Sequence, residues 1–427
     1  MNLIKNLLFK QLLNKSIVAF TIKILGAFIG LAASFYLTKI LGSEQSGLYF
    51  LALSFMTFPV ALCALGLNNT VLKLISSFYT EGNWGAINSV TSKSILWVFS
   101  ASVIFSCLIF YNAEYIATVV FSKSALEPAL KFIAFSLIFT CVFNLYGHII
   151  QAVRRLKSSM IIMGVSHNLF LIITLTLIVN VSLKSAAIAY SISAFFTMLV
   201  GMFVWLKLKE PVPKANVSTY LIISTCTPML VIQLFAQINA QAGTIMLGVW
   251  HTPESVAFYV ISVKIAALIS FILMAVNRVV GPDFSSLYAM GDINKLAKTV
   301  QYSTALMVIF SLPLLLLFLI APGTILGIFG EDFREAKNVL RILAVAQFFY
   351  VASGNVNLLL QMTGHANILR NNILISSLVA VLLGLFLIPS YGVHGAGITT
   401  ALALTVSNIL SCYKVHSLLK INIIRFW

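Results

Sequence analysis

The chain has 427 residues, of which 60% are apolar and only 9% are charged. Charged residues make up about a quarter of a typical soluble domain, so a water-soluble fold is excluded. Lys and Arg number 27 against 11 Asp and Glu, a formal charge of +16, which in a soluble protein would indicate nucleic-acid binding. The five Cys lie far apart in apolar stretches, and they predict neither a metal site nor a disulfide framework.

A helix needs about 20 mostly apolar residues to cross a membrane. Twelve segments of the chain meet this condition: 16–41, 46–67, 90–111, 128–152, 161–181, 185–206, 218–242, 254–280, 301–321, 337–361, 368–389 and 395–416. The fold is therefore predicted to be an all-α integral membrane protein with 12 transmembrane helices. The first segment is too long for the apolar part of a cleaved signal peptide.

Residues 1–15 precede the first predicted span. Their Leu and Ile side chains fall on one helical face and their Lys and Asn side chains on the other. This pattern predicts a short cytoplasmic helix lying in the membrane interface. A solvated N-terminal run is the alternative.

Loop charge predicts the orientation of the chain. Most Lys and Arg fall in loops on the side of the N-terminus, and only four lie on the opposite side: Lys123, Lys184, Arg334 and Lys337. Because cytoplasmic loops of membrane proteins are enriched in Lys and Arg, both termini are predicted to be cytoplasmic. Topology thus explains the positive charge, and no nucleic-acid partner is predicted.

The sequence also contains an internal repeat. Residues 130–188 align without gaps onto 340–398, at a constant offset of 210, with ten identical positions such as Gln151/Gln361 and Ser166/Ser376. The repeat predicts two pseudo-symmetric six-helix bundles of the same orientation, related by an axis along the membrane normal, as in alternating-access transporters. The predicted segments are the interfacial helix 1–15, a bundle 16–206, a cytoplasmic linker 207–217, a second bundle 218–417 and a cytoplasmic tail 418–427.

Enzyme chemistry has little room in this chain. The longest stretches between predicted spans, 68–89 and 281–300, are too short for a catalytic domain, and no P-loop motif occurs. The six His show no metal-ligand spacing, so no metal or other cofactor is predicted. No re-entrant filter loop typical of channels is visible. These absences favour a transporter.

Charges inside the membrane are rare and usually functional, since a charge at the bilayer centre costs on the order of 3 kcal/mol or more. The deep charges are Lys264, near the middle of the eighth span, and Lys23, in the first span. Lys264 is predicted to line a wet cavity, with a structural partner or a shifted helix boundary as the alternatives. Arg278 follows on nearly the same helical face, either at a cytoplasmic mouth or as an ordinary positive-inside anchor.

A row of amides accompanies these cations. Gln233, Gln237 and Gln241 share one face of the seventh span at i, i+4, i+8 spacing. Such a row would hydrogen-bond sugar hydroxyls in a cavity, or it would bond to neighbouring helices. Asn355 in the tenth span is a weaker candidate of the same kind.

The sign of the intramembrane charge predicts the class of substrate. A cavity with lysines and no carboxylate favours an anionic substrate, because a nearby anion stabilises the buried positive charge. The same composition argues against export of organic cations, and it lacks the usual carboxylate route for proton or sodium coupling.

Five diffuse motifs suggest a family. They are LTKILGSEQSGLYFLALSF, VVGPDFSSLYAMGD, FGEDFREAKNVLRILAVAQFF, LLLQMTGHANILRNNILISSLV and LIPSYGVHGAGITTALAL. In these stretches the chain resembles the polysaccharide transporters of the multidrug/oligosaccharidyl-lipid/polysaccharide exporter superfamily, and among them bacterial O-antigen flippases.

The resemblance implies a flippase that moves an undecaprenyl-pyrophosphate-linked oligosaccharide from the inner to the outer leaflet of the bacterial cytoplasmic (inner) membrane. It further implies membrane lipids, a polysaccharide polymerase and a chain-length regulator as partners. A cation-coupled multidrug or small-solute exporter of the same superfamily is the alternative. An oligosaccharide polymerase is a third hypothesis, which would need large periplasmic loops.

Overall fold

The computed structural model describes residues 2–178, 180–213 and 215–421, and within these ranges every regular element is a helix. The α-helices are α1 (Asn2–Cys63), α2 (Leu67–Thr80), α3 (Trp84–Tyr111), α4 (Ala113–Tyr115), α5 (Glu127–Ala152), α6 (Leu156–Ile161), α7 (His167–Leu177), α8 (Leu183–Leu208), α9 (Thr219–Trp250), α10 (Pro253–Ala266), α11 (Ser270–Ala289), α12 (Ile293–Ile320), α13 (Pro322–Gly327), α14 (Lys337–Ala352), α15 (Val356–Met362) and α16 (Ala366–Leu419). π-Helical turns occupy Ile116–Val120 and Ile162–Ser166, and 3-10 turns occupy Ser124–Leu126, Ala267–Ile269 and Glu331–Ala336. The predicted all-α class is confirmed.

Ten helical stretches of the described chain are long and apolar enough to cross a membrane. Two of them, Thr21–Cys63 with 43 residues and Ala366–Leu419 with 54, are too long for a single crossing of a core about 30 Å thick. Each contains a glycine with non-helical backbone angles, Gly42 (φ 72°, ψ −177°) and Gly392 (φ 54°, ψ −127°). Each glycine divides its helix into two limbs, which gives the 12 transmembrane helices predicted from the sequence.

The turn at Gly392 is a tight reversal. A Cβ atom on Gly395 would overlap the carbonyl oxygen of Leu387. Eight residues apart in a continuous helix, these positions would be about 12 Å apart along the axis. The first limb of α16 (366–391) therefore folds back against its second limb (393–419).

The internal repeat extends to the ends of the helices. α5 and α14 begin 210 residues apart, and so do α6 and α16. α3 and α12 both have 28 residues, begin 209 residues apart, and carry side-chain caps from Asn83 and Asp292 at equivalent positions.

Helix packing repeats in the same register. Gly26 packs against Gly164 and Met246 against Gly384, each pair 138 residues apart. Likewise Tyr49 contacts Tyr190, and Tyr259 hydrogen-bonds Thr400, each 141 residues apart. The two halves are thus built on one helix-packing plan.

The chain divides into two compact units, one of residues 21–237 and one of residues 238–427 together with residues 1–20. The division falls inside α9, because the first part of α9 packs in the first unit. There, a Cβ on Gly66 would overlap the carbonyl oxygen of Cys226.

Residues 207–213 and 215–217 pack along α3 in the first unit. The Asn88 side chain donates to the carbonyls of Glu210 and Val212 (3.0 and 3.1 Å), and Lys93 Nζ donates to the carbonyl of Val217 (2.7 Å). The predicted interfacial face of residues 1–15 lies outside the described side chains.

Small residues allow a close helix approach in the first unit. Gly26 and Gly30, spaced as in a Gly-x-x-x-Gly motif, pack against Gly164 and Asn168. In membranes, small residues at this spacing allow helix backbones to approach closely. A Cβ on Gly26 would lie 2.7 Å from the carbonyl oxygen of Gly164, whereas a Cβ on Gly164 would meet open space.

We therefore expect Gly26→Ala to destabilise the detergent-solubilised protein by about 1–3 kcal/mol, because overpacking forces the two helices apart. The matched control, Gly164→Ala, gains the same helix propensity without a clash and is expected to leave the melting temperature unchanged or slightly raised. Equal melting temperatures for the two variants would contradict this account of the contact.

Candidate functional site

Lys264 lies at the middle of a membrane span. It is the twelfth of the 25 residues of the span Pro253–Asn277, about 16 to 20 Å from either end at 1.5 Å per residue. Its side chain is partly buried in the second unit. Because α10 continues without a break into the 3-10 turn Ala267–Ile269 and α11, Lys264 lies inside one continuous helical span.

The carboxylates of the chain lie elsewhere. All 11 Asp and Glu fall at helix ends, beside the Gly42 break, in connecting segments or on the extension of α11 beyond its span: Glu44, Glu81, Glu114, Glu127, Glu210, Glu254, Asp283, Asp292, Glu331, Asp332 and Glu335. Side-chain ion pairs include Lys131–Glu127, Lys295–Asp292 and Arg334–Glu331. In the span that carries Lys264 the one acid is Glu254, next to the first residue of the span.

Lys23 belongs to the first unit and lies on α1, in the first half of the predicted span 16–41. It precedes Gly26 by about one helical turn, and its side chain is exposed. A lysine nearer one end of a span can extend its ammonium group toward the interface.

The three glutamines lie on the continuous helix α9, and all are partly buried. Asn239 lies on the opposite side of that helix, where its amide nitrogen donates to Ser376 Oγ at 3.0 Å. At 100° per residue, the glutamine row therefore points away from the first limb of α16. Gln233 and Gln237 belong to the first unit and Gln241 to the second.

The side-chain oxygen of Gln233 is available as a hydrogen-bond acceptor. Its Oε1 is buried and accepts no hydrogen bond from the described residues. Leaving a buried acceptor unpaired is costly, so such an atom is a suitable partner for a hydroxyl donor.

The repeat relates the two cations to each other. At the offset of 210, Lys23 corresponds to Gln233, and Lys264 corresponds to Ser54. Each half thus carries one of the two deep lysines, but on helices that do not correspond in the repeat.

Asn355 lies in the interior of the second unit and is only 1% exposed. Its amide nitrogen donates to Ser303 Oγ at 3.1 Å, which ties the start of α15 to α12. Its contact in this structure is therefore an interhelical one. Arg278 lies on α11, and its side chain is outside the described part of the structure.

A buried aromatic and imidazole cluster in the first unit was not anticipated from the sequence. His167 stacks on Phe143 (ring centroids 5.7 Å apart) and meets the edge of Tyr190 (4.5 Å), which in turn contacts Tyr49 (6.3 Å). Both His167 ring nitrogens and the Tyr49 hydroxyl are buried, without hydrogen-bond partners among the described residues. These residues come from four different spans, and the spacing of histidines along the chain does not indicate which spans meet. The described residues hold no group of three metal-binding side chains.

The Asn355–Ser303 contact makes a prediction that separates a packing role from cargo binding. Asn355→Ala and Ser303→Ala should each lower stability by about 1 kcal/mol, and the double variant should cost less than the sum, with a coupling of about 0.5–1.5 kcal/mol. Thermal unfolding of the purified variants measures this cycle. Additive effects would remove the argument that the hydrogen bond holds α15 to α12.

Comparison with known proteins places this architecture in a family. The model of the polysaccharide biosynthesis protein family matches residues 12–288, and the MatE family model matches 228–387. The probable low-salt glycan biosynthesis flippase Agl15 of Haloferax volcanii is 23% identical over 433 aligned positions, which cover 96% of this chain and 85% of that protein.

Two solved structures share the fold. The lipid II flippase MurJ in an inward closed conformation aligns with a TM-score of 0.77 at 14% identity, covering 93% of this chain and 87% of MurJ. An inward-facing multidrug-resistance MATE transporter aligns with a TM-score of 0.76 at 15% identity, covering 95% and 98%. The resemblance found in the sequence motifs is confirmed, and because the first family model spans more than half of the chain, this multi-pass membrane protein belongs to the polysaccharide biosynthesis protein family.

Proposed function

We propose that this protein is a flippase for a lipid-linked oligosaccharide, translocating an undecaprenyl-pyrophosphate-linked repeat unit, such as that of an O-antigen, across a bacterial cytoplasmic membrane. Membership in the polysaccharide biosynthesis family supports the proposal, as do the similarity to a probable glycan biosynthesis flippase and the fold shared with a lipid II flippase. Both termini are placed in the cytoplasm, as loop charge predicts. The flipped product would then be available to a polymerase and a chain-length regulator.

One observation carries the proposal: an ammonium group at the middle of a span whose one acid, Glu254, lies next to the first residue of that span. A pyrophosphate brings negative charge and several strong acceptor oxygens. Charge-assisted hydrogen bonds to such oxygens are about twice as strong as neutral ones. In the proposed mechanism Lys264 binds the pyrophosphate at the membrane midplane, and Lys23, near the cytoplasmic end of its span, attracts it on entry, with Arg278 close to the same side.

The glycan needs hydrogen-bonding partners when it leaves water. We assign this role to Gln233, Gln237 and Gln241, since an amide both donates and accepts and therefore matches a hydroxyl. Gln233 Oε1 has no competing donor among the described residues. Asn355, which is buried and bonded to Ser303, positions helices in this proposal.

The transport cycle follows from binding energetics. Cargo shifts the balance between inward-open and outward-open states only by its difference in affinity for the two. An anion moving outward also gains from the membrane potential, by about 2.3 kcal/mol per charge per 100 mV. Neither contribution requires a catalytic group, which is consistent with a transporter.

The second candidate function is a cation-coupled exporter of drugs or small solutes. The MatE family match and the MATE-like fold favour it. The positions of the carboxylates argue against it, because proton or sodium coupling commonly uses acids within the spans, and organic cations would meet Lys264.

Lys264 provides the test. In cells that lack the native gene and any related flippase, Lys264→Gln should reduce the appearance of surface polysaccharide about 10- to 100-fold, the range expected for a lost charged hydrogen bond. Lys264→Arg should retain much of the activity, and Lys298→Gln, a change at an exposed lysine of α12, should behave like wild type.

Inner-leaflet accumulation of lipid-linked repeat units in the Lys264→Gln strain would locate the block at translocation. Folded protein is checked by fluorescence-detected size exclusion. Normal flipping by a well-folded Lys264→Gln variant would overturn the assigned role of Lys264. Substrate-stimulated proton or sodium flux, with normal surface polysaccharide in the deletion strain, would select the exporter instead.

A further inference from the structure

A long apolar groove runs along the second unit between α12, α14 and the second limb of α16. Its volume is about 1170 Å³, and its walls include Val345, Phe349, Leu402, Ile409 and Cys412. Phe349 and Ile409 are each 61% exposed, although both lie within membrane-spanning stretches. The groove is therefore open along its length rather than an enclosed core cavity.

The repeat shows which substitutions open the groove. At equivalent positions, the first unit has Phe where the second has a smaller residue: Phe99/Val308, Phe135/Val345 and Phe195/Thr405. In the first unit Phe195 meets Phe139 edge to face, at 5.2 Å between centroids. In the second unit the partner of Phe349, the equivalent of Phe139, is reduced to Thr405. Because the helix-packing register is shared, the lost ring volume leaves space.

The charges at one end of the groove also differ between the two halves of the repeat. In the first unit Lys131 forms an ion pair with Glu127 at 2.6 Å. The equivalent positions in the second unit are Arg341 and Lys337, so a cation replaces the acid. Like charges at this spacing on a helix destabilise it.

Arg341 lines the groove and donates to neutral oxygens, the carbonyl of Leu319 (3.1 Å) and Asn338 Oδ1 (3.3 Å). In the preceding 3-10 turn, which also carries Asp332 and Glu335, Glu331 pairs with Arg334 at 3.1 Å. An anion at this end would relieve the repulsion between Lys337 and Arg341.

The length of the groove selects its occupant. Its lining residues on α16 run from Ala401 to His416, about 22 Å along the helix at 1.5 Å per residue. One leaflet of hydrocarbon is about 15 Å thick. An acyl chain confined to one leaflet leaves part of such a groove empty, whereas a polyprenyl chain is long enough to fill it.

We propose that this groove binds the polyprenyl chain of the lipid-linked glycan, with its phosphate held at Arg341 on the side that loop charge places outside the cell. This inference rests on the proposed function and adds a site for the lipid part of the cargo. Binding here keeps the polyprenyl chain against an apolar surface while the glutamines of α9 bind the glycan. It also provides a cation, Arg341, that attracts the phosphate toward the outer side of the membrane.

The test restores the aromatic side chains of the first half. The full-length protein in vesicles of phosphatidylethanolamine and phosphatidylglycerol is photolabelled with a diazirine-bearing polyprenyl pyrophosphate, and the labelled residues are mapped by mass spectrometry. Labelling should centre on the groove and fall at least tenfold in Val345→Phe and in Thr405→Phe. Leu378→Phe, at an exposed site of α16 outside the groove, is the matched control.

Arg341→Gln, which leaves the walls intact, should weaken labelling by the pyrophosphate probe at least fivefold but leave labelling by a diazirine-bearing polyprenol unchanged. Groove labelling by a diazirine phosphatidylglycerol that polyprenyl pyrophosphate does not displace would overturn the proposal and identify ordinary lipid as the occupant. So would normal labelling in well-folded Val345→Phe and Thr405→Phe proteins.

The two proposals fail in different ways. If Lys264→Gln blocks flipping while both groove variants label and flip normally, the groove assignment is wrong and the flippase function stands. If the polyprenyl probe labels the groove but the deletion strain makes normal surface polysaccharide, the flippase proposal is wrong and the lipid site stands.

Discussion

The apolar core of the bilayer is the constraint on which this structure depends. Backbone groups within it must be paired inside the chain, so each crossing is a helix, and the exceptional backbone angles fall at turns such as Gly42 and Gly392. The same medium makes every buried charge costly. A lysine at the centre of a span therefore indicates a function, because an apolar side chain would be more stable at that depth. A phosphate-bearing cargo would offset part of that cost.

The two halves share a packing plan but not a chemistry. Helix ends recur at offsets of 209 to 210 residues, and the Tyr49–Tyr190 contact recurs as Tyr259–Thr400 at an offset of 210, so the plan itself is insensitive to most side chains. The halves differ at several polar, charged and bulky positions, among them Ser54 against Lys264, Lys23 against Gln233, and Glu127 against Lys337. A repeat that kept both copies identical would have two equal sites. Divergence on a common scaffold instead lets one half hold charge or lipid where the other is packed.

Small and large residues determine different features of the packing. Where the first span approaches the carbonyl of Gly164, the absence of a side chain at Gly26 allows the short distance. Where the first half fills its surface with Phe135 and Phe195, the second half has Val345 and Thr405, and a groove results. Without water to drive helix association in a membrane, such van der Waals fits contribute a large share of the stability. A change of one ring in this setting alters both packing and available space.

The sequence by itself determined the class of fold, the number of crossings and the repeat, since these depend on apolar run length and on periodic side-chain pattern, which are local properties. It also located Lys264 at membrane depth, because depth follows from residue count along a helix. Only the tertiary structure decided which side chains are in contact. Asn355 donates a hydrogen bond to Ser303 and Asn239 to Ser376, and the His167 ring contacts Tyr190 of another span. It likewise placed the division of the units inside α9 and showed the groove beside Phe349. Such contacts join residues more than 20 positions apart, and the hydrophobic pattern that inserts a helix into a membrane does not specify which face turns toward which neighbour.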